Sequence, residues 1–293
     1  MMKTLVTPIK IQGKKTKLID NIFEIAQHQL SDHPEIDTWV EPFLGSGAVA
    51  FNCSRHSQIK NVIVNDINPH IINFYKGIND GVITATEIQS SFRDFSNKLK
   101  EGGYDFYNEI KDRFNKNFDT MDFLFLTRTG FNGLMRFNNS GKWNVPFCKL
   151  NNRLSDRVIN DLADSVQELS ELFNSKNFEF HNESFENVIM SAPETSIFYC
   201  DPPYYGLETQ YYKGWGEQNE IQLNKLLQDK VFIYSTWIDD GNKENPMIEK
   251  LWNQYEKESI NHKYNVAQKA SERKNVKEGL IFNGTTFNEL HSH

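Results

Sequence analysis

Apolar residues along this chain fall into two kinds of run. Short ones of strand length, bounded by Pro, Gly, Asn or Asp, occur at 38–40, 61–65, 178–181, 196–200 and 230–236. Longer ones, with apolar positions three and four apart, occur at 18–26, 81–127 and 155–174. The first of these carries Leu18, Ile22, Phe23, Ile25 and Ala26, and the second Phe92, Phe95, Leu99, Phe106, Tyr107, Ile110 and Phe114. The third carries Val158, Leu162, Val166, Leu169 and Leu172. The short runs read as buried strands and the long ones as amphipathic helices, which makes this an α/β chain. Gly102-Gly103 divides the second helical stretch, and Ser155 is placed to cap the third. At 293 residues the pattern allows one large domain or a domain with another inserted into it.

The run at 196–200 ends in Asp201-Pro202-Pro203-Tyr204. Neither proline can donate to a sheet ladder, so the strand stops at Asp201. A carboxylate and an aromatic ring are thereby set at the carboxyl edge of the sheet, where ligands bind in open α/β folds. The chemistry that fits is methylation of an exocyclic amino group on a base. The N6 nitrogen of adenine is a poor nucleophile because its lone pair is delocalised into the ring. A carboxylate and a backbone carbonyl together can accept both amino hydrogens, favouring a tetrahedral nitrogen whose lone pair faces an electrophilic methyl group. Asp201 supplies one acceptor, the Pro202 carbonyl the other, and Tyr204 is placed to stack on the base. The bland alternative is a Pro-Pro turn capped by Asp.

A second stretch, Glu41-Pro42-Phe43-Leu44-Gly45-Ser46-Gly47, is a glycine-rich turn between a strand and a helix start. Roughly 20 residues on, the next strand ends in Asp66, an acid placed to bind the two hydroxyls of a ribose. Any nucleoside cofactor would suit this pair. Gly45-x-Gly47-x-x-Ala50 also satisfies a loose dinucleotide fingerprint, which keeps a nicotinamide-dependent dehydrogenase as a rival. A dehydrogenase has no use for Asp-Pro-Pro-Tyr.

The formal net charge of -7 argues against a nucleic-acid binder only until its distribution is seen. Lys3, Lys10, Lys14, Lys15 and Lys17 open the chain with no acid among them. Arg128, Arg136, Lys142, Lys149, Arg153 and Arg157 face Asp156 alone over 128–157. Within the second cluster, Asn132-Gly133 and Ser140-Gly141 are turn signals around a short strand at 134–137, so a hairpin of interleaved basic and aromatic residues is expected. Cys53, Cys148 and Cys200 show no metal-ligand spacing and read as reduced thiols. No signal peptide or long apolar run appears, so the reading is cytoplasmic, with no membrane and no metal. The final His-Ser-His has no fold role.

These residues resemble the Dam-type (D12 class, alpha group) DNA adenine-N6 methyltransferases, a family with phage and restriction-modification members. Asp201-Pro202-Pro203-Tyr204 matches its fourth motif, Glu41-Pro42-Phe43 with the following glycines its first, and Asn65-Asp66-Ile67-Asn68-Pro69 strengthens the match. Lys10, Gly13 and Lys15 fit its amino-terminal motif, with Ile11 and Lys14 where many members carry Trp and Gly. The block from Thr127 to Phe147 is similar to its target-recognition hairpin.

The resemblance implies a Rossmann-like S-adenosylmethionine-dependent methyltransferase sheet, from 1–80 and 176–293. A mostly helical target-recognition domain carrying the β-hairpin, 81–175, is inserted into it. S-adenosyl-L-methionine is the implied cofactor and S-adenosyl-L-homocysteine the product. The implied cofactor contacts are Lys15, Glu41, Pro42, Phe43, Gly45, Gly47, Asp66, Ile67, Phe185 and Asp201. The implied catalytic residues are Asp201, Pro202, Pro203 and Tyr204. DNA contacts are implied for Lys10, Arg128, Phe131, Asn132, Leu134, Arg136, Asn138, Lys142 and Pro146. Arg136 would read a base edge, Phe131, Asn132 and Leu134 would lie near the opened pair, and Pro146 would touch a base. Lys10, Leu134 and Arg136 lean towards GATC or a site containing GAT. The segments 262–266, 270–274 and 279–283 resemble the closing β-structure, where Lys269, Arg273, Lys274 and Lys277 either approach DNA or form a solvated face.

The implied partner is double-stranded DNA, met by a monomer with or without a cognate restriction endonuclease. The setting is bacterial or phage-encoded and nucleoid-associated, and the mechanism is base flipping followed by direct in-line transfer. Three alternatives stand beside this. An RNA or free-base methyltransferase would share both chemical motifs without needing the hairpin. Cytosine amino methylation usually carries Ser where Asp201 stands, and an inactive relative would lose Asp201 or the glycines.

Overall fold

The computed structural model describes residues 3–206, 215–263 and 275–283. Five strands, β1 (Thr38–Glu41), β2 (Asn61–Asn65), β3 (Asn177–His181), β4 (Ser196–Cys200) and β5 (Val231–Asp239), pair in parallel. Two more, β6 (Glu256–Lys263) and β7 (Asn275–Phe282), close the sheet antiparallel, giving seven strands in the order β3-β2-β1-β4-β5-β7-β6. Between β2 and β3 run α3 (Pro69–Asn79), α4 (Ala85–Asn117), α5 (Thr120–Thr129) and α6 (Asp156–Ser175). The remaining helices are α1 (Ile19–Asp32), α2 (Ala50–Cys53), α7 (Phe185–Ser191), α8 (Glu217–Leu227) and α9 (Pro246–Leu251).

The period of two along each strand sorts the core. Trp39, Val62, Val64, Ile197, Tyr199 and Ile233 join α1 and α3 to α6 in one apolar cluster. Val40, Ile63, Phe198, Cys200, Phe232 and Tyr234 face the other way, against α7, α8 and α9. The helices start where local chemistry starts them. Asn68 accepts from the His70 N–H ahead of Pro69, Thr84 and Glu87 form a capping box, and Asp119 and Ser155 cap α5 and α6. The expected break at Gly102-Gly103 is a kink inside α4, where Gly103 takes φ 49°. A further break falls at Phe118, the left-handed residue that ends α4.

The expected strand at 134–137 does not form. Between Gly130 and Phe147 there is a 3-10 turn at Phe131–Gly133 and two isolated antiparallel bridges, Gly130 to Phe147 and Phe137 to Trp143. Consecutive left-handed residues, Asn132 (φ 52°) and Gly133 (φ 67°), interrupt the extended geometry a ladder needs. Side-chain burial holds the loop instead, since Met135, Trp143, Val145 and Phe147 enter the large cluster. The 130–147 loop and the sheet face thus share one core. Helix α6 makes the connection, packing on α4 as well as on α3 and β3. Among the described residues no helix is long and apolar enough to cross a membrane, and the three cysteines are free thiols.

The glycine turn after β1 gives a direct test of this packing. Gly47 is left-handed at φ 72°, and a Cβ there would lie 2.1 Å from the buried Phe51 ring. Gly45, at φ 52°, has no atom within 4 Å of the same position. Gly47→Ala is expected to destabilise by about 2–4 kcal/mol in urea unfolding, combining backbone strain with overpacking. Gly45→Ala should lose only the strain, about 1–2 kcal/mol. Equal losses would contradict the packing described.

Candidate active site

The carboxyl ends of β1, β2 and β4 lie side by side, and each delivers an acid. Glu41, the last residue of β1, is 2% exposed and accepts a 3.4 Å bond from the Trp39 indole N–H. Burial pushes its carboxyl well above the usual range, and the charges of Asp201 and Asp66 add to the shift. Asp66, just past β2, organises the glycine turn. Its Oδ2 accepts from the Gly45 N–H at 2.8 Å and its Oδ1 from the Asn68 N–H at 2.8 Å. The turn is fixed from below by Asn65, whose Nδ2 donates to the Pro42 carbonyl at 2.9 Å, and by the Tyr75 hydroxyl, which donates to Ser46 O. Beside Gly45 the space is open, and Ile67 is 57% exposed across the same edge. Buried acids, a backbone turn with room beside it and an exposed apolar side chain fit a nucleoside.

Asp201 follows β4 directly, where Pro202 and Pro203 end the ladder. Its Oδ2 lies 2.9 Å from the ammonium of Lys15, which is 6% exposed. The Asp201 side chain keeps 19% of its surface, yet protein surrounds most of it. That desolvation raises its pKa to about 6; Lys15 pulls it back down, and Glu278 pushes it up again. Lys15 also lies 4.0 Å from Glu278 Oε1, the oxygen that accepts from the Tyr204 hydroxyl at 3.1 Å. The ammonium sits 5.0 Å from the Tyr204 ring centroid, in cation–π range. Lys15, expected beside the cofactor, is ion-paired with Asp201.

Phe43 and Phe185 meet at 5.3 Å between centroids, and Trp215 stands 5.4 Å from both. The Trp215 indole donates to Glu220 at 2.8 Å, and the fully buried Glu220 also accepts from the Tyr234 hydroxyl at 2.9 Å. Sequence reasoning passed over Trp215, Glu220 and Glu278. None stands in a sequence pattern that marks it, although Glu278 directly precedes the short run Gly279-Leu280-Ile281-Phe282.

The residues expected at DNA lie on the 130–147 loop or, as Lys10 and Arg128 do, beside it, and the segment from Pro8 to Lys15 joins the loop to this edge. Gln12 donates from its backbone to Gly133 O at 3.2 Å and from its side chain to Asn132 O at 3.2 Å. Arg128 is turned inward, donating to Pro8 O at 3.2 Å; burial and the charge of Arg153 lower its pKa to about 10. Burial also lowers Lys10, with Arg153 and Arg128 adding repulsion, and brings Lys14 to about 8 with help from Arg128. Asn132, Asn138, Lys142 and Pro146 are exposed, whereas Phe131, Leu134 and Arg136 are half-buried. The Arg136 Nε donates to Asn144 Oδ1 at 2.7 Å. Asn138 closes the turn, its Oδ1 accepting from the Ser140 and Lys142 N–H groups at 2.9 and 3.0 Å. Lys277 is exposed on β7, while Lys269, Arg273 and Lys274 lie outside the described residues. No group of three His, Cys, Asp or Glu among the described residues could hold a metal ion.

A family model described as D12 class N6 adenine-specific DNA methyltransferase matches residues 12–267. The Type II methyltransferase M.MjaIII of Methanocaldococcus jannaschii is 32% identical over 232 residues, covering 74% of this chain and 78% of that protein. The DNA adenine methylase of Vibrio cholerae is 31% identical over 212 residues, covering 69% of this chain and 66% of that protein. The retron Ec67 DNA adenine methylase of Escherichia coli is 28% identical over 286 residues, covering 95% and 91%. The family's model spans most of the sequence: this chain belongs to the D12 class N6 adenine-specific DNA methyltransferases.

Proposed function

We propose that this chain transfers the methyl group of S-adenosyl-L-methionine to the N6 amino group of adenine in double-stranded DNA. The observation that carries the reading is the meeting of Asp201 with the Glu41-to-Gly47 turn at one sheet edge, an amino-group acceptor beside a nucleoside cradle. The relatives named for adenine methylation point the same way. The cofactor supplies an electrophilic sulfonium methyl group.

The chain's own residues do the rest. Asp66, held at the tip of β2 by the Gly45 and Asn68 N–H groups, is the acid that would meet the ribose hydroxyls. Phe43, Phe185 and Trp215 form an aromatic wall for the cofactor's adenine. Lys15 occupies Asp201 Oδ2, so Oδ1 takes one amino hydrogen of the target and the Pro202 carbonyl the other. Tyr204 has Lys15 against its ring, and the opposite face is the one for the base. With both amino hydrogens held, the N6 lone pair would be free to take the methyl group that the cofactor would supply, and Asp201 would pass the surplus amino proton to water. Because N6 lies inside the duplex, the base must first swing out, at a cost of a few kcal/mol. Phe131, Asn132 and Leu134, on the 130–147 loop, would fill the gap and offset that cost. The recognition sequence leans to GATC or a site containing GAT through Lys10, Leu134 and Arg136.

Mass spectrometry of nucleosides from duplex DNA incubated with protein and cofactor should find N6-methyladenine. Asp201→Ala should abolish it while cofactor affinity stays within a few fold; methylation at the wild-type rate in that variant would refute the assignment. Arg136→Ala should lose about 1–3 kcal/mol on the cognate site and relax discrimination at one position, whereas Lys142→Ala should weaken all sequences alike and lower the salt slope by about one. Equal losses for Arg136→Ala on cognate and random DNA would make it a phosphate contact.

The raised Asp201 pKa also fixes a stability signature. A carboxyl that titrates near 6 when folded and at 3.8 otherwise binds more protons in the native state between those values. Its contribution therefore favours folding at low pH, and this is lost as pH rises through about 6. Ligand-free Asp201→Asn should be more stable than wild type at pH 7, by about 1–3 kcal/mol, with the gain vanishing near pH 4. A variant less stable than wild type at pH 7 would contradict this.

A further inference from the structure

Glu278 lies on β7, at the opposite end of the sequence from Lys15 and beyond every motif that carries the proposed chemistry. It is 1% exposed. Sheet pairing fixes its place, opposite Trp237 on β5 and Ile260 on β6, next to the register shift at Trp237/Asp239. Gly279 beside it lies so close to Ile238 that a Cβ would come within 2.6 Å, so β7 is seated tightly at this point. Burying a carboxylate is costly unless charge and hydrogen bonds compensate. Two of its neighbours belong to the proposed site: its Oε1 accepts from the Tyr204 hydroxyl at 3.1 Å and lies 4.0 Å from the Lys15 ammonium.

Resting on the adenine-methylation reading, we propose that Glu278 is a positioning residue: it fixes the Tyr204 ring by its hydroxyl and, across Lys15, sets the ionisation of Asp201. Lys15 alone would neutralise Asp201. A second carboxylate 4.0 Å from the same ammonium divides its attraction, which keeps Asp201 a readier proton acceptor than a simple ion pair would. The groups facing Asp201 are Lys15 from the amino-terminal segment, Glu278 from β7, Glu41 from β1, Tyr204, and Tyr199 and Cys200 from β4. Burial pushes Tyr199 and Cys200 far upward, so they stay protonated through the relevant range. Glu41 belongs to every variant below, and differences among them isolate Glu278.

The test uses Glu278→Gln, which keeps an acceptor for Tyr204 and removes the charge, with Glu278→Ala and Tyr204→Phe. Glu278→Gln should move the acid limb of the kcat profile to lower pH by at least half a unit. Glu278→Ala should lose roughly tenfold to a hundredfold in kcat, as misplaced groups do, with DNA and cofactor affinities held within about threefold. Adding Tyr204→Phe to it should cost nothing more, because both changes break one bond. An unmoved acid limb in Glu278→Gln overturns the proposal. So does additivity of Glu278→Ala with Tyr204→Phe.

A readout free of catalysis separates this from the function itself. The stability difference between wild type and Asp201→Asn, followed against pH, has a midpoint that reports Asp201. In the Glu278→Gln background that midpoint should fall by the same half unit or more, whether or not adenine is methylated. A midpoint that stays put overturns the role of Glu278, and a wild type that forms no N6-methyladenine refutes only the function.

Discussion

The Lys15 ammonium, 6% exposed, lies 2.9 Å from Asp201 and 4.0 Å from Glu278, against the ring of Tyr204. The rest of the site depends on this one charge. Asp201, Glu41 and Glu278 converge on a sheet edge where water has been largely removed, and like charges there repel strongly. Without Lys15 the desolvation that already raises Asp201 to about 6 would act unopposed, and the carboxylate would be protonated near neutrality. Lys15 comes from a one-turn helix at the start of the chain, whereas the acids come from β1, β4 and β7. The edge is therefore assembled from segments spread over the whole sequence.

The same amino-terminal segment ties the 130–147 loop to the edge. Pro8 accepts from Arg128, Gln12 bonds twice to the loop at Asn132 and Gly133, and a few residues later Lys15 reaches Asp201. Lys10, Lys14 and Arg128 have lowered pKa values through burial and mutual repulsion, a strained cationic cluster that a phosphate backbone would relieve. A displacement of the loop on DNA would thus be felt along eight residues of chain that end at the proposed acceptor.

Much of this was legible in the sequence, for physical reasons. Asp-Pro-Pro-Tyr had to end a strand because two prolines cannot continue one, and β4 stops at Cys200. Strand periodicity and helix caps set the sheet and its covering helices. What could not be read was whatever depends on contacts between distant segments. The loop around Arg136 carries hairpin turn signals, but consecutive left-handed residues at 132 and 133 and the burial of Trp143 and Phe147 override the ladder. Glu278 and Trp215 acquire meaning only when β7 and the Phe43–Phe185 pair are brought beside them.

The proposed function requires the target amino group to dock on Asp201 and Pro202 with the base outside the helix. A crystal structure of the protein with a non-reactive cofactor analogue and a cognate duplex measures this directly. The account predicts an extruded adenine with N6 about 3 Å from both Asp201 Oδ1 and the Pro202 carbonyl, its ring parallel to Tyr204. An adenine still stacked in the duplex, or extruded into a pocket that leaves Asp201 bound to Lys15 alone, would contradict it.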